Sequence, residues 1–117
     1  MKKQQNEPEY NNKVILKSGS SDLRRGEKSL IKLIVNNYHE GFRINYLYAF
    51  INDDNTAIKL VKKNTDDTIA LMKLKREKAF TYPWPEYQPK GQEGYTKTLT
   101  DEEGSSFLKS IGCPENL

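Results

Sequence analysis

Two clusters of turn-forming residues limit what the middle of this chain can fold into. They are NDDNT at 52–56 and NTDDT at 64–68. Asn, Asp and Thr side chains hydrogen-bond to the backbone near them, which favours tight turns over helix interiors. The segments TAIKLVKK and TIALMKLKRE are short and have β-branched residues near their starts, which suits strands. The spacing therefore predicts two hairpin turns in an antiparallel β-meander.

The segment before the first turn is compatible with two structures. As a strand, FRINYLYAF at 42–50 places alternate aromatic side chains on one face, and aromatic residues are enriched in strands. As a helix, it forms an equally good i, i+3, i+4, i+7 stripe from Ile44, Leu47, Tyr48 and Ile51. In that alternative, 55–63 is a recognition helix and 73–78 is the wing of a winged helix-turn-helix protein. We expect strands, with the winged helix as the alternative.

An amphipathic helix is predicted at 27–40, before the meander. Its apolar stripe consists of Leu30, Ile31, Ile34 and Tyr38. Ser29 or a residue just before it can cap the start, and Gly41 can adopt the left-handed conformation that ends a helix. One face of this helix must therefore pack against the rest of the protein.

The C-terminal part of the chain predicts a strap and a short helix. TYPWPEYQP at 81–89 has three prolines among large aromatic side chains, so it is extended and is not a central strand. TDEEGSSFLKSIG at 100–112 begins with a capping box made by Thr100 and Glu103. Gly104 costs this helix about 1 kcal/mol of propensity, so docking must hold it in place.

Together these elements predict an α+β fold. One amphipathic helix packs on an antiparallel β-meander, and a Pro/aromatic strap and a short C-terminal helix fold back over it. Residues 13–117 are expected to form a single domain that starts with a strand, KVILK, at 13–17. Residues 1–12 contain no apolar set that could be buried, so we expect a flexible leader there.

Composition and charge indicate a soluble, cytoplasmic protein. Cys113 is the only cysteine, which excludes an internal disulfide and suits a reducing compartment. The longest apolar run, YLYAFI at 46–51, is far too short to span a bilayer. Residues 1–82 contain 16 Lys/Arg and 10 Asp/Glu, whereas residues 83–117 contain 3 and 6. A basic body favours anionic partners.

No motif in the sequence predicts catalysis, a cofactor or a bound metal. The strand, Gly/Ser loop and helix in VILKSGSSDLRRGEKSLIKLIVN are arranged like a phosphate-binding loop. However, six residues separate Gly19 from Gly26, and Glu27 replaces the lysine that must follow the second glycine. Turn chemistry explains the aspartates of the two turns. We therefore expect a protein that is not an enzyme.

Basic side chains are the main candidates for a binding site. Seven of them lie in two consecutive segments: Lys59, Lys62, Lys63, Lys73, Lys75, Arg76 and Lys78. In paired strands, Lys73 and Lys75 share one face, and Lys59 and Lys63 share a face of the neighbouring strand. Because lysines contact phosphates and tyrosines stack on bases, such a sheet can bind nucleic acid.

Two classes of function are compatible with these features. The first is a small non-enzymatic nucleic-acid-binding or regulatory protein, such as a DNA-binding protein, that uses its basic face. The alternative is a protein-binding inhibitor, antitoxin or immunity-type factor from a phage or mobile element, whose strap residues Tyr82, Trp84 and Tyr87 bind the partner. The sequence leaves open the identity of the partner, the choice between DNA and RNA, and the oligomeric state.

Overall fold

Five strands form one mixed sheet in the structure, a computed structural model that describes residues 13–24, 26–38, 41–86 and 96–113. The elements are β1 (Val14–Lys17), α1 (Glu27–Asn37), β2 (Leu47–Ile51), β3 (Ala57–Lys63), β4 (Ile69–Lys75), β5 (Thr96–Thr98) and α2 (Asp101–Ser110). The predicted α+β class is therefore confirmed. The predicted leader at 1–12 lies outside the described residues.

The two predicted hairpin turns are confirmed, and they use the same side-chain hydrogen bonds. In the first turn, the Asp54 carboxylate accepts a bond from the Thr56 hydroxyl (2.6 Å). In the second, the Asp66 carboxylate accepts the equivalent bond from Thr68 (2.6 Å). The residues after these aspartates, Asn55 and Asp67, both have positive φ, at 63° and 68°. Short polar residues tolerate this conformation, so NDDNT and NTDDT specify their turns locally.

Segment 42–63 forms strands in place of the helices of the winged helix-turn-helix alternative. β2 and β3 pair antiparallel from Leu47 opposite Lys62 to Ile51 opposite Ile58. The strand predicted from residue 42 was too long at its start, since β2 begins only at Leu47. Asn45 has a φ of 66°, which interrupts an extended strand.

The antiparallel meander is only part of the sheet, whose strand order is β4-β3-β2-β1-β5. β2, β3 and β4 form the predicted meander. β1, however, pairs parallel with β2 and antiparallel with β5. Parallel neighbours need a long crossover connection, and the segment that contains α1 supplies it. The sheet is therefore mixed, which a short strand such as VILK does not reveal by itself.

Each face of the sheet is covered by one helix. The α1 face carries Ile15, Tyr48, Phe50, Ala57 and Val61, which pack with Leu23, Leu30, Ile34 and Tyr38. The α2 face carries Val14, Leu16, Leu47, Ala49, Ile51, Ile58 and Leu60, which pack with Phe80, Leu99, Phe107 and Ile111. All five residues of β2 are buried, because both sides of the strand face a cluster. This explains why LYAFI reads as a continuous apolar run.

The two helices differ in how they begin. α2 has the predicted capping box, since Glu103 N donates to Thr100 Oγ1 (3.1 Å) and Thr100 N donates to the Glu103 carboxylate (2.9 Å). That hydrogen bond lowers the pKa of Glu103. α1 is capped at Gly26, which precedes Ser29, and has no side-chain cap bond, so of the predicted alternatives Ser29 itself is not the cap. α1 also ends at Asn37, earlier than the predicted helix at 27–40.

The Pro/aromatic strap lies over the α2 face. Residues 81–86 form no helix or strand. The Tyr82 and Trp84 rings meet the Phe107 ring at centroid distances of 4.9 and 5.7 Å. Trp84 Nε1 donates a 2.7 Å hydrogen bond to the carbonyl of Lys17 at the end of β1.

Within the described ranges, no helix is long and apolar enough to cross a membrane.

Candidate nucleic-acid interface

The register of β3 and β4 places two lysines directly opposite each other. Lys59 pairs with Lys73, and Lys75 pairs with Ala57. Residues paired in this way point to the same face, and Lys59 is also the partner of Phe50 on β2. Lys59, Lys73 and Lys75 therefore all lie on the α1 face. Like charges directly opposite each other destabilise a sheet, so this arrangement has an electrostatic cost.

The three lysines differ in exposure. Lys59 is only 9% exposed, whereas Lys73 and Lys75 are exposed to solvent. Neither Lys73 nor Lys75 forms an ion pair with any residue that the structure describes. β4 is the edge strand of the sheet, so nothing in the described chain covers this pair from the side. Two cationic groups are thus available on one face of an open edge.

Lys63 belongs to the same face but lies at the other end of β3. It pairs with Ile69 across the strands. Its ammonium group is 3.7 Å from the Asp67 carboxylate and 5.7 Å from the centre of the Phe42 ring. These contacts hold the Lys63 side chain near the second hairpin turn. A cation in this position extends the charged surface along β3.

The other three predicted basic residues do not join this group. Lys62 pairs with Leu47 and Ala70, which places it on the α2 face. The Arg76 guanidinium lies 4.8 Å from the centre of the Phe80 ring, a geometry typical of a cation–π contact. Lys78 is exposed in the bend after β4. The seven residues therefore occupy two sides of the sheet and its edge.

A groove of about 560 Å³ opens beside Lys73 and Lys75. Its lining residues are Ser20, Ser21, Asp22, Leu23, Arg24, Asn52, Asp53, Ala57, Lys73 and Lys75. One wall is the loop between β1 and α1, and the other is the exposed side of β4. The groove thus lies outside the carboxyl ends of the parallel strands β1 and β2, the end at which ligands bind in open α/β sheets.

Charges on the loop wall of the groove are partly neutralised. Arg24 donates two 3.0 Å hydrogen bonds to the Asp22 carboxylate, from Nε and from a terminal nitrogen. This pairing raises the pKa of Arg24. Asp53 is the other acid in the lining. The lysines of β4 therefore give the groove its positive side.

Ser21 is fixed in this wall by its backbone and leaves its side chain without a bond. Ser21 N donates a 2.8 Å hydrogen bond to the carbonyl of Ile51, the last residue of β2. The Ser21 hydroxyl oxygen is buried and has no hydrogen-bond partner among the described residues. The sequence reasoning missed this wall, because it tested the Gly/Ser loop only for phosphate-loop spacing. The signal it lacked was the position of this loop across the groove from β4.

Two aspartates, Asp54 and Asp66, stabilise the hairpin turns. The Thr56 hydroxyl bond lowers the pKa of Asp54, and the Thr68 hydroxyl bond lowers the pKa of Asp66. Both carboxylates are therefore ionised at neutral pH and hold their turns. In the part of the chain that the structure covers, no three His, Cys, Asp or Glu side chains are grouped to hold a metal ion.

The strap aromatics, which are the alternative partner-binding residues, contact this chain. Tyr82 and Trp84 are half-buried against Phe107. Partial burial raises the pKa of Tyr82. Tyr87 lies outside the described residues.

Comparison with known proteins gives one informative result. No curated protein and no solved structure matches this chain. The family model for the IS66 Orf2 like protein, TnpB_IS66, matches residues 12–113. That match includes every described element, from β1 to α2. The chain therefore belongs to the IS66 Orf2 like family, which associates it with a mobile element.

Proposed function

We propose that this chain is a non-enzymatic nucleic-acid-binding protein of a mobile element. Its binding surface, which we name the basic face, consists of Lys63, Lys73 and Lys75 on the α1 face of the sheet; Lys59 lies on the same face but is only 9% exposed. The main support is that Lys73 and Lys75 share the α1 face at the open edge of the sheet, exposed and without an ion pair among the described residues. A bound polyanion offsets the repulsion between these two groups.

Membership of a mobile-element family adds to this support. A mobile element is itself a nucleic-acid segment, so a basic protein that it encodes has a polyanionic partner at hand. The acidic side chains of the turns support binding in place of catalysis. Asp54 and Asp66 accept hydrogen bonds from threonine hydroxyls and so serve the turns. Contacts from lysine to phosphate do not read the base sequence, so specificity should be low.

Charge reversal on the basic face tests the proposal. The double variant Lys73→Glu, Lys75→Glu should weaken binding of a short fluorescent DNA or RNA by about tenfold or more at low salt, because attraction to phosphate becomes repulsion. Fluorescence anisotropy measures the affinity. The matched control is Lys97→Glu, Lys109→Glu, which makes the same change in net charge. Lys97 is on β5 opposite Leu16 and Lys109 is on α2, both away from the α1 face.

The salt dependence gives a second readout of the same surface. For a duplex, the slope of log K against log salt concentration should become shallower by about 0.9 for each phosphate contact that the variant loses. If the basic-face variant and its control lose the same affinity for the oligonucleotide, binding depends on net charge alone and not on the basic face. No binding by the unmutated protein at low salt would overturn the proposal and favour a protein partner.

A further inference from the structure

We propose that the groove between the Ser20–Arg24 loop and β4 binds the terminal phosphate of a nucleic-acid strand, an inference that rests on the proposed function. The groove has about 560 Å³ of space, which lies in the range of roughly 300–1,000 Å³ typical of small-ligand sites. A concave site of this size accepts a group that protrudes, such as a strand end. The convex side of a duplex fits an open face better than it fits a groove.

The charges of the groove match a terminal phosphate better than an internal one. A phosphate monoester carries about −1.5 to −2 at pH 7, whereas each internal phosphodiester carries a single charge. Lys73 and Lys75 line the groove, and neither has an ion pair with a described residue. Two ammonium groups therefore face a ligand of nearly two negative charges. Arg24 neutralises Asp22 through two hydrogen bonds, which leaves Asp53 as the acid that opposes the ligand, so the three cations and two acids of the lining give a net charge of +1.

The opposite wall supplies hydrogen-bond donors. The Ser21 hydroxyl has no partner among the described residues, and a buried polar group left in this way is costly. Because the hydroxyl is enclosed, it donates to a phosphate oxygen in the groove only after the Ser21 side chain rotates toward the groove. The Arg24 guanidinium uses Nε and one terminal nitrogen for Asp22, which leaves N–H groups for a second acceptor.

This site differs from a nucleotide-hydrolysing phosphate loop. The loop lacks the glycine spacing and the adjacent lysine of that motif. The lysines of the groove come from β4, which lies across the groove from the loop. The proposal is binding of a strand end, without any bond formed or broken.

Matched oligonucleotides test this assignment. One single-stranded sequence with an internal fluorophore is prepared with a 5′-phosphate, with a 3′-phosphate, or with hydroxyl groups at both ends. The unmutated full chain should bind one of the phosphorylated forms about five- to tenfold more tightly than the hydroxyl form. The ratio of the two affinities isolates the end group, because the internal phosphates are identical.

Two variants locate the preference in the groove. Ser21→Ala should lower the ratio by about threefold or more, since it removes the hydroxyl while the backbone bond to Ile51 stays. Lys73→Ala, Lys75→Ala should bring the ratio close to one. Lys97→Ala, Lys109→Ala is the control, and it should keep the ratio of the unmutated chain. An unchanged melting temperature shows that each variant is folded.

The outcomes separate this inference from the proposed function. If the unmutated chain binds all three oligonucleotides equally and the basic-face charge reversal weakens them all, the terminal-phosphate site is refuted and nucleic-acid binding stands. If no oligonucleotide binds, both fail. Inorganic phosphate and the phosphorylated oligonucleotide are also compared as competitors. If both abolish the preference for the phosphorylated end at the same concentration, the site binds free phosphate and the strand-end assignment is overturned.

Discussion

The single tryptophan joins three parts of the molecule. Trp84 Nε1 donates to the carbonyl of Lys17 at the end of β1, and its ring packs edge-on against Phe107 of α2. Pro83 and Pro85 restrict the backbone on both sides, so little conformational entropy is lost when the ring docks. The side chain therefore ties the strap to the sheet and to the helix.

Removal of this ring should destabilise the fold. We expect Trp84→Ala to lower the free energy of unfolding by about 3 kcal/mol, because the packing on Phe107 and the hydrogen bond to Lys17 are both lost. Trp84→Phe keeps an aromatic ring and should cost less. Urea unfolding followed by far-UV circular dichroism measures both variants.

The fluorescence of Trp84 gives an independent check on that prediction. Emission from the folded protein should be blue-shifted relative to the unfolded protein. A fully water-exposed spectrum together with unchanged stability in Trp84→Ala would contradict it. Tyr82 and Trp84 would then become candidates for a partner-binding surface.

At the scale of elements, α2 approaches β1 unusually closely. Gly104 is buried in the middle of α2, and a Cβ atom at this position would lie 3.1 Å from Val14 Cγ2. Glycine costs about 1 kcal/mol in a helix relative to alanine. The close contact explains the glycine, since an added Cβ would require Val14 or the helix to shift by a few tenths of an ångström.

Coupling between these two positions can be measured. Gly104→Val should destabilise the protein by about 1–3 kcal/mol through overpacking. In a Val14→Ala background the same substitution should cost less, because the opposing methyl groups are gone. Helix propensity contributes equally in both backgrounds and cancels in the double-mutant cycle. Equal costs in the two backgrounds would show that the helix moves freely at this contact.

The elements also show which parts of the fold can be predicted from the sequence. The two turns and the α2 capping box are specified by residues within five positions of each other, such as Asp54 with Thr56 and Thr100 with Glu103. These local features were predicted correctly. The parallel pairing of β1 with β2 and the short strand β5 depend on contacts between distant segments. No local pattern distinguishes a parallel VILK from an antiparallel one.

The candidate site also has one part that the sequence predicts and other parts that it does not. The shared face of Lys73 and Lys75 follows from strand alternation and was predicted. The separation of Lys62 from them depends on the register between β3 and β4, which the turn lengths set. The Ser21 wall depends on the crossover that brings the loop before α1 next to β4. Sequence spacing contains no information about that arrangement.

At the scale of the whole molecule, one sheet separates two clusters of buried side chains. β1 contributes Ile15 to the α1 face and Leu16 to the α2 face, and β2 divides its side chains in the same manner. Loss of either cluster would expose one side of these central strands to water. The stability of each cluster is therefore linked to that of the other through β1 and β2.

This linkage predicts that both clusters unfold in a single cooperative transition. Trp84 fluorescence follows the α2 face, where the indole contacts Phe107. A fluorotyrosine at Tyr48, which is buried on the α1 face against Tyr38, follows the other side by fluorine NMR. The midpoints of urea unfolding from the two probes should coincide, because neither helix retains a packing surface once the central strands separate. A fluorotyrosine signal that shifts at lower urea than Trp84 would contradict this linkage, and would mean that α1 and its cluster detach while the strap, α2 and the sheet remain folded.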